Sequence, residues 1–324
     1  MVVYNPQPGT YISRRGKRGL PISLHAMKYD ENGNRLITGY VPQLALTGVA
    51  IAAYFLLSAW CAFLFARTKP RPKYMLWITI GTFTMAVGFG ARIPMTNDPG
   101  SLGIYVVTTL FTLLSPCAFL AQDYVLLPRL ASWLDAEDCL FLSARLVARI
   151  FIGSDICTFL IQAAGGGMTA IESMASIGEK IALVGLIIQC ISFGLFWILL
   201  VVFAFRLRSN HPEKWASGSG FKGWKTLYWA IQWTCIGIMV RCVFRVIEFA
   251  QGYGGYLRNT EWCYYSLDTL PLFLAIIIWA VVWPPSILVE SKKWALASPE
   301  YGLSNLDGSS TFAPVTPESS YTKA

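Results

Sequence analysis

The sequence predicts an all-α integral membrane bundle of seven transmembrane helices, with the N-terminus outside and the C-terminus cytoplasmic. Three observations carry this. The 324 residues are 55% hydrophobic and only 14% charged, where a soluble domain of this size carries nearer a quarter charged residues. The mean hydropathy is +0.50. The apolar residues fall in continuous runs of about twenty or more, long enough to span a bilayer as helices and too continuous for the alternating strands of a membrane barrel.

The runs place spans over residues 43–66, 74–95, 102–128, 147–168, 180–205, 226–252 and 262–289. Residues 1–40 form a polar extracellular N-terminal arm holding Arg14, Arg15, Lys17 and Arg18. Residues 41–289 form the transmembrane domain. Residues 290–324 are rich in Ser, Thr, Pro and Gly and are predicted to be a disordered cytoplasmic tail, with Ser298-Pro299 and Thr316-Pro317 as candidate phosphorylation sites. The arm has no early apolar segment, so no cleavable signal peptide is expected. Orientation follows from the basic residues. The links after spans one, three and five carry Arg67, Lys69, Arg71 and Lys73, then Arg129 and Arg145, then Arg206, Arg208, Lys214, Lys222 and Lys225. The opposite links hold only Lys180 and Arg258. The positive-inside bias therefore puts the first set in the cytoplasm. The net charge of +8 is accounted for by this bias, beside anionic lipid, and no nucleic-acid partner is expected. The arm's own basic cluster points the other way, but most of it lies too far from the first span to weigh heavily.

Within the spans, Pro116 and Pro271 are expected to bend their helices. Gly165-Gly166-Gly167 is read as the stop of span four, with a hinge as the alternative. The eight cysteines form no C-x-x-C pair and are expected to be free packing residues.

The informative stretch is "VRCVFRVIEFAQG", Val240 to Gly252, which places two arginines and a glutamate in an apolar span. On a helix Arg241, Arg245 and Glu248 lie at about 0°, 40° and −20°, one stripe about 60° wide. A charge facing lipid costs at least a few kcal/mol, so the stripe must face protein or water. Available partners are Asp155 and Gln162, seven residues apart on span four, Asp268 in span seven and Arg92 at the end of span two. Such a set either braces the bundle or lines a polar pocket for the head group of an amphiphile. Asp123 is read as an interfacial charge at the inner end of span three.

Other chemistries lack their residues. Neither histidine, His25 or His211, lies in a span, which disfavours an intramembrane zinc hydrolase. Span seven has no lysine for a retinal Schiff base. Gly218-x-Gly220-x-x-Gly223 matches a dinucleotide fingerprint but has no preceding strand, and there is no P-loop. No catalytic residue, metal or cofactor is predicted.

Two blocks carry a family resemblance. "VRCVFRVIEFAQGYGGYLRNTEWCYYSLD" resembles a signature of the fungal aminocholesterol-resistance family, the lipid-translocating exporters, through Arg241, Arg245, Glu248, Gly252, Glu261, Tyr265 and Asp268. "SDICTFLIQAAGGG" resembles a second family block through Asp155, Thr158, Phe159, Gln162 and the three glycines. Met85 stands where the family usually carries a glutamate. The resemblance implies a seven-span fungal membrane protein that is not an enzyme. It implies binding and export of amphiphilic lipids, sphingoid bases or sterol-like compounds, and resistance to toxic ones. It places the protein in the plasma membrane, with an endomembrane as the alternative. The ligand-binding residues expected are Asp155, Gln162, Arg241, Arg245, Glu248, Asp268 and Arg92. A seven-span receptor or lipid sensor, signalling through the cytoplasmic links and tail, is the alternative function. The sequence leaves the oligomeric state open.

Overall fold

The computed structural model describes residues 43–69, 71–97, 101–169, 171–217, 223–252 and 255–288. The predicted arm over 1–40 and the predicted tail over 290–324 lie outside the described residues.

Seven helices are long and apolar enough to cross a membrane: Leu44–Arg67, Lys73–Thr96, Leu102–Trp133, Leu146–Thr169, Ala175–Asn210, Trp224–Ala250 and Glu261–Leu288. No strand occurs among the described residues. The third and fifth spans are longer than their apolar runs. At ~1.5 Å per residue the 36-residue fifth helix is about 54 Å long, well beyond a hydrocarbon core of about 30 Å, so its end with Arg206 and Arg208 stands clear of the apolar layer.

The helices pack in chain order into a closed ring, each on the next, with the seventh returning to the first. The third also crosses the interior to touch the sixth. Apolar side chains cover the outside, among them Phe55, Leu56, Leu160, Ile191 and Val281, as a lipid-facing surface requires. The interior holds two aromatic clusters. Tyr124, Phe151 and Phe196 join spans three, four and five, with ring centroids 4.6 to 5.6 Å apart. Tyr54, Phe89 and Tyr265 stack between spans one, two and seven. Neutral hydrogen bonds run along the seam between spans one and seven. Thr47 meets Tyr265 at 3.0 Å, the Tyr54 hydroxyl donates to the Thr269 carbonyl at 3.2 Å, and the Trp60 indole donates to the Ala280 carbonyl at 3.2 Å. All eight cysteines are free.

The glycine triplet does not stop span four. The helix continues through it to Thr169. A Cβ on Gly165 would lie 2.5 Å from the Ala182 nitrogen and 2.7 Å from the Gly178 carbonyl oxygen, so spans four and five touch backbone to backbone there. Bare backbone on both sides permits the close crossing common among membrane helices. The third span likewise runs on through Pro116 and Pro128. In the seventh span, Tyr264–Thr269 forms a π-helical turn just before Pro271. Pro271 has no N–H to give the preceding turn, and the wider turn accommodates that loss.

Candidate functional site

The charged stripe of the sixth span points inward and meets the π-helical turn of the seventh. Asp268 is fully buried and holds two guanidinium groups at once. Arg241 Nη1 donates to its Oδ2 at 2.7 Å. Arg245 Nε donates to its Oδ1 at 2.7 Å, and Arg245 Nη2 reaches Oδ2 at 3.3 Å. Arg245 Nη1 also pairs with Glu248 at 3.0 Å, one turn along its own helix. Two cations and two anions therefore neutralise one another, which lets them sit in a bundle interior.

The third span supplies the remaining acceptor. Arg241 Nη2 donates to the Thr112 carbonyl at 3.1 Å. In an α-helix that carbonyl would accept from the N–H four residues on, and residue 116 is proline. Pro116 thus leaves a helical carbonyl free inside the membrane, and the arginine fills the vacancy.

Arg92, from the end of span two, lies over the Tyr264 ring at 4.5 Å, and Arg245 approaches the same ring at 5.2 Å. Tyr264 keeps the two cations apart while offering each its electron-rich face. Beside them is a cavity of about 90 Å³ whose walls include Arg92, Tyr105, Thr108, Arg245, Glu248 and Tyr264. It lies at the ends of spans two and six and the starts of three and seven, the side opposite the basic links. The Thr108 hydroxyl is buried without a partner among the described residues. Asp268 is not in the cavity wall; it stands behind it.

Of the expected ligand-binding residues, the structure brings together Arg241, Arg245, Glu248 and Asp268, with Arg92 across Tyr264. It does not bring in span four. Gln162 pairs instead with Gln189 of the fifth span, Nε2 to Oε1 at 2.8 Å. Asp155 is buried, and its carboxylate lies beside the Tyr124 side chain of the third span. The shared face of Asp155 and Gln162 is real, but it is turned toward spans three and five. Asp123 also departs from expectation: it is buried, not interfacial, and accepts from the Thr234 hydroxyl at 2.8 Å.

Three further motif residues have structural roles. Gly252 ends the sixth span with φ +68°, the left-handed conformation that favours glycine after a helix. Both Glu261 oxygens accept from the Gln43 N–H, at 2.9 and 3.1 Å, fixing the start of span one. Tyr265 belongs to the seam with Thr47. The site residues missed by sequence reasoning are Tyr264, Tyr105, Thr108 and Thr112. Tyr264 had one available signal, its spacing of four residues before Asp268. Neutral threonines in an apolar run carry none.

The family model described as "RTA1 like protein" matches residues 78–292, well over half of the chain. Protein RTA1 of Saccharomyces cerevisiae is 36% identical over 204 residues, covering 63% of this chain and 63% of that protein. Protoporphyrin uptake protein 1 of the same yeast is 26% identical over 207 residues, covering 62% of this chain and 65% of the relative. The match thus spans less than two-thirds of either relative's length. The sphingoid long-chain base transporter RSB1 of the same yeast is 23% identical over 290 residues, covering 78% of this chain and 74% of the transporter. No solved structure matches.

Proposed function

The chain belongs to the RTA1-like family, and from that premise we propose that it binds amphiphilic lipids and moves them across or out of the bilayer. The observation that carries this reading is the placement of Glu248 in the wall of a cavity that mixes charged and apolar side chains near one membrane face. Asp268 stands behind the wall and is held by two arginines, so Glu248, itself paired with Arg245 at 3.0 Å, is the acidic group in the cavity wall. An ammonium head group would pair with it, and the unpartnered Thr108 hydroxyl would serve a hydroxyl-bearing one. At about 90 Å³ the cavity suits a head group alone, since whole ligands take ~300–1,000 Å³, so the alkyl chain would stay among the lipid-facing side chains. The relative that transports sphingoid bases supports this class of ligand. The basic links support an outward-facing cavity and a cytoplasmic C-terminus. Export from the plasma membrane and resistance to toxic lipids complete the proposal.

Arg92 and Arg245 in the same wall give an anionic amphiphile as the second reading, and the protoporphyrin uptake relative favours it. The test uses purified protein in liposomes with a fluorescent sphingoid base in one arm and a porphyrin dicarboxylate in the other. Flux of the base that is lost in E248Q, with the variant folded and monodisperse, supports the first reading. Flux of the porphyrin alone supports the second. Full base flux in E248Q overturns the role of Glu248. Absence of any flux in the unmodified protein overturns translocation and points to a receptor.

A further inference from the structure

The opposite end of the bundle carries a second cluster of chemically capable side chains. The link after span three turns sharply at Asp135, which adopts φ +50°, and the Ala136 N–H closes the turn on the Ala131 carbonyl at 3.0 Å. A short 3-10 turn, Glu137–Cys139, follows. Across from it His211 ends the fifth span, its N–H donating to the Leu207 carbonyl at 3.0 Å. Lys214 Nζ donates to the Asp135 carbonyl at 2.7 Å, so the two segments are tied independently of the cluster.

Between these fixed backbones lie three ligand-type atoms. His211 Nε2 is 3.0 Å from Asp138 Oδ2, Cys139 Sγ is 3.8 Å from the same oxygen, and all three lie within 4.8 Å of one another. We propose that Asp138, Cys139 and His211 bind a zinc ion that staples the link between spans three and four to the end of span five. The spacing fits: zinc bonds of ~2.0–2.3 Å to N, O and S in a tetrahedron put neighbouring donor atoms about 3.3–3.7 Å apart. The two separations from Asp138 Oδ2, 3.0 and 3.8 Å, lie within a few tenths of an ångström of that range. Thiolate with imidazole selects zinc over magnesium or calcium. The fourth position is left to water.

A second observation points the same way. Glu213 Oε1 lies 3.5 Å from His211 Nδ1, on the far side of the ring. A carboxylate on that side favours the ring proton on Nδ1 and leaves Nε2 to face Asp138 and Cys139, the arrangement that orients metal-bound histidines. The ligand set matches the charge of the ion: the Cys139 thiolate and the Asp138 carboxylate bring two negative charges to Zn2+, and His211 binds neutral. Cys139 is fully buried, so the ion would have its thiolate on the protein side and its open position on the solvent side.

The experiment strips the full chain in detergent with a chelator and titrates it with cobalt(II), a spectroscopic substitute for zinc. The expected result is one equivalent bound, with tetrahedral d–d bands and a thiolate-to-metal band, both displaced by zinc. C139S should abolish the thiolate band, and H211Q and E213Q should each weaken binding about ten-fold or more. C157S, which removes an exposed thiol on span four, should change nothing. Absence of stoichiometric cobalt overturns the proposal, as does a thiolate band that survives C139S or an affinity unchanged in H211Q. If C139S fails to fold, H211Q and E213Q decide the question alone. If the variants bind normally, the cluster is only a hydrogen-bonded clasp.

Discussion

Replacing Asp268 with asparagine keeps the shape of the π-helical turn and removes the charge that two arginines share. In the native bundle Arg241 and Arg245 are balanced by Asp268 and Glu248. In D268N two guanidinium groups face one carboxylate, and the new amide presents N–H groups or a single carbonyl where two strong acceptors stood. Arg241 retains only the Thr112 carbonyl at 3.1 Å. Asp268 is fully buried and the Arg241 side chain is 3% exposed, so solvent screening gives little relief. Breaking a buried pair from one side costs about 3–5 kcal/mol, and D268N should lose stability in that range. Adding R241M removes the surplus cation and leaves Arg245 with Glu248. The double variant should therefore recover about 2 kcal/mol relative to the sum of the single losses, a coupling well above the additivity error of ~0.5 kcal/mol. Reversible unfolding in micelles, driven by SDS and followed by circular dichroism, measures all three. A loss under about 1 kcal/mol in D268N, or strict additivity in the cycle, refutes the account of mutual neutralisation.

The helix crossing at the glycine triplet gives a paired prediction. G165A forces a methyl into the backbone of span five and should cost about 1–3 kcal/mol, whereas G167A meets nothing within 4 Å and should be neutral or stabilising by up to ~1 kcal/mol in the same assay. Q162L removes the 2.8 Å bond to Gln189 and should cost about 1 kcal/mol, part of which Q162L/Q189L restores because no amide is then left unpaired. Equal effects at Gly165 and Gly167, or no recovery in the double leucine variant, would show these contacts to be incidental.

The number and placement of the spans were legible because the bilayer sets the length of an apolar run. The inward stripe of span six was legible because three charges on one face of an apolar helix have nowhere else to go. What the sequence hid depends on the neighbour. Three glycines read as a stop in isolation; only the presence of Gly178 and Ala182 across the crossing makes them a contact. Pro116 read as a bend, yet its consequence is chemical, an exposed carbonyl at Thr112 that a distant arginine takes up. Asp155 and Gln162 were placed on a common face correctly, but periodicity fixes relative angles within a helix and not its rotation about its axis. They consequently face the third and fifth spans, away from the arginines. Thr108 and Tyr105 gave no signal, since a hydroxyl in an apolar run is unremarkable until a cavity opens beside it.

Arg245 is held by two carboxylates of unequal freedom. One is buried behind the wall and shared with Arg241; the other faces the cavity. If an incoming cation draws Glu248 away, Arg245 still has Asp268, so partner exchange at the cavity leaves neither arginine without a carboxylate contact. The wall carboxylate can change hands while the one behind it keeps both guanidinium groups in place.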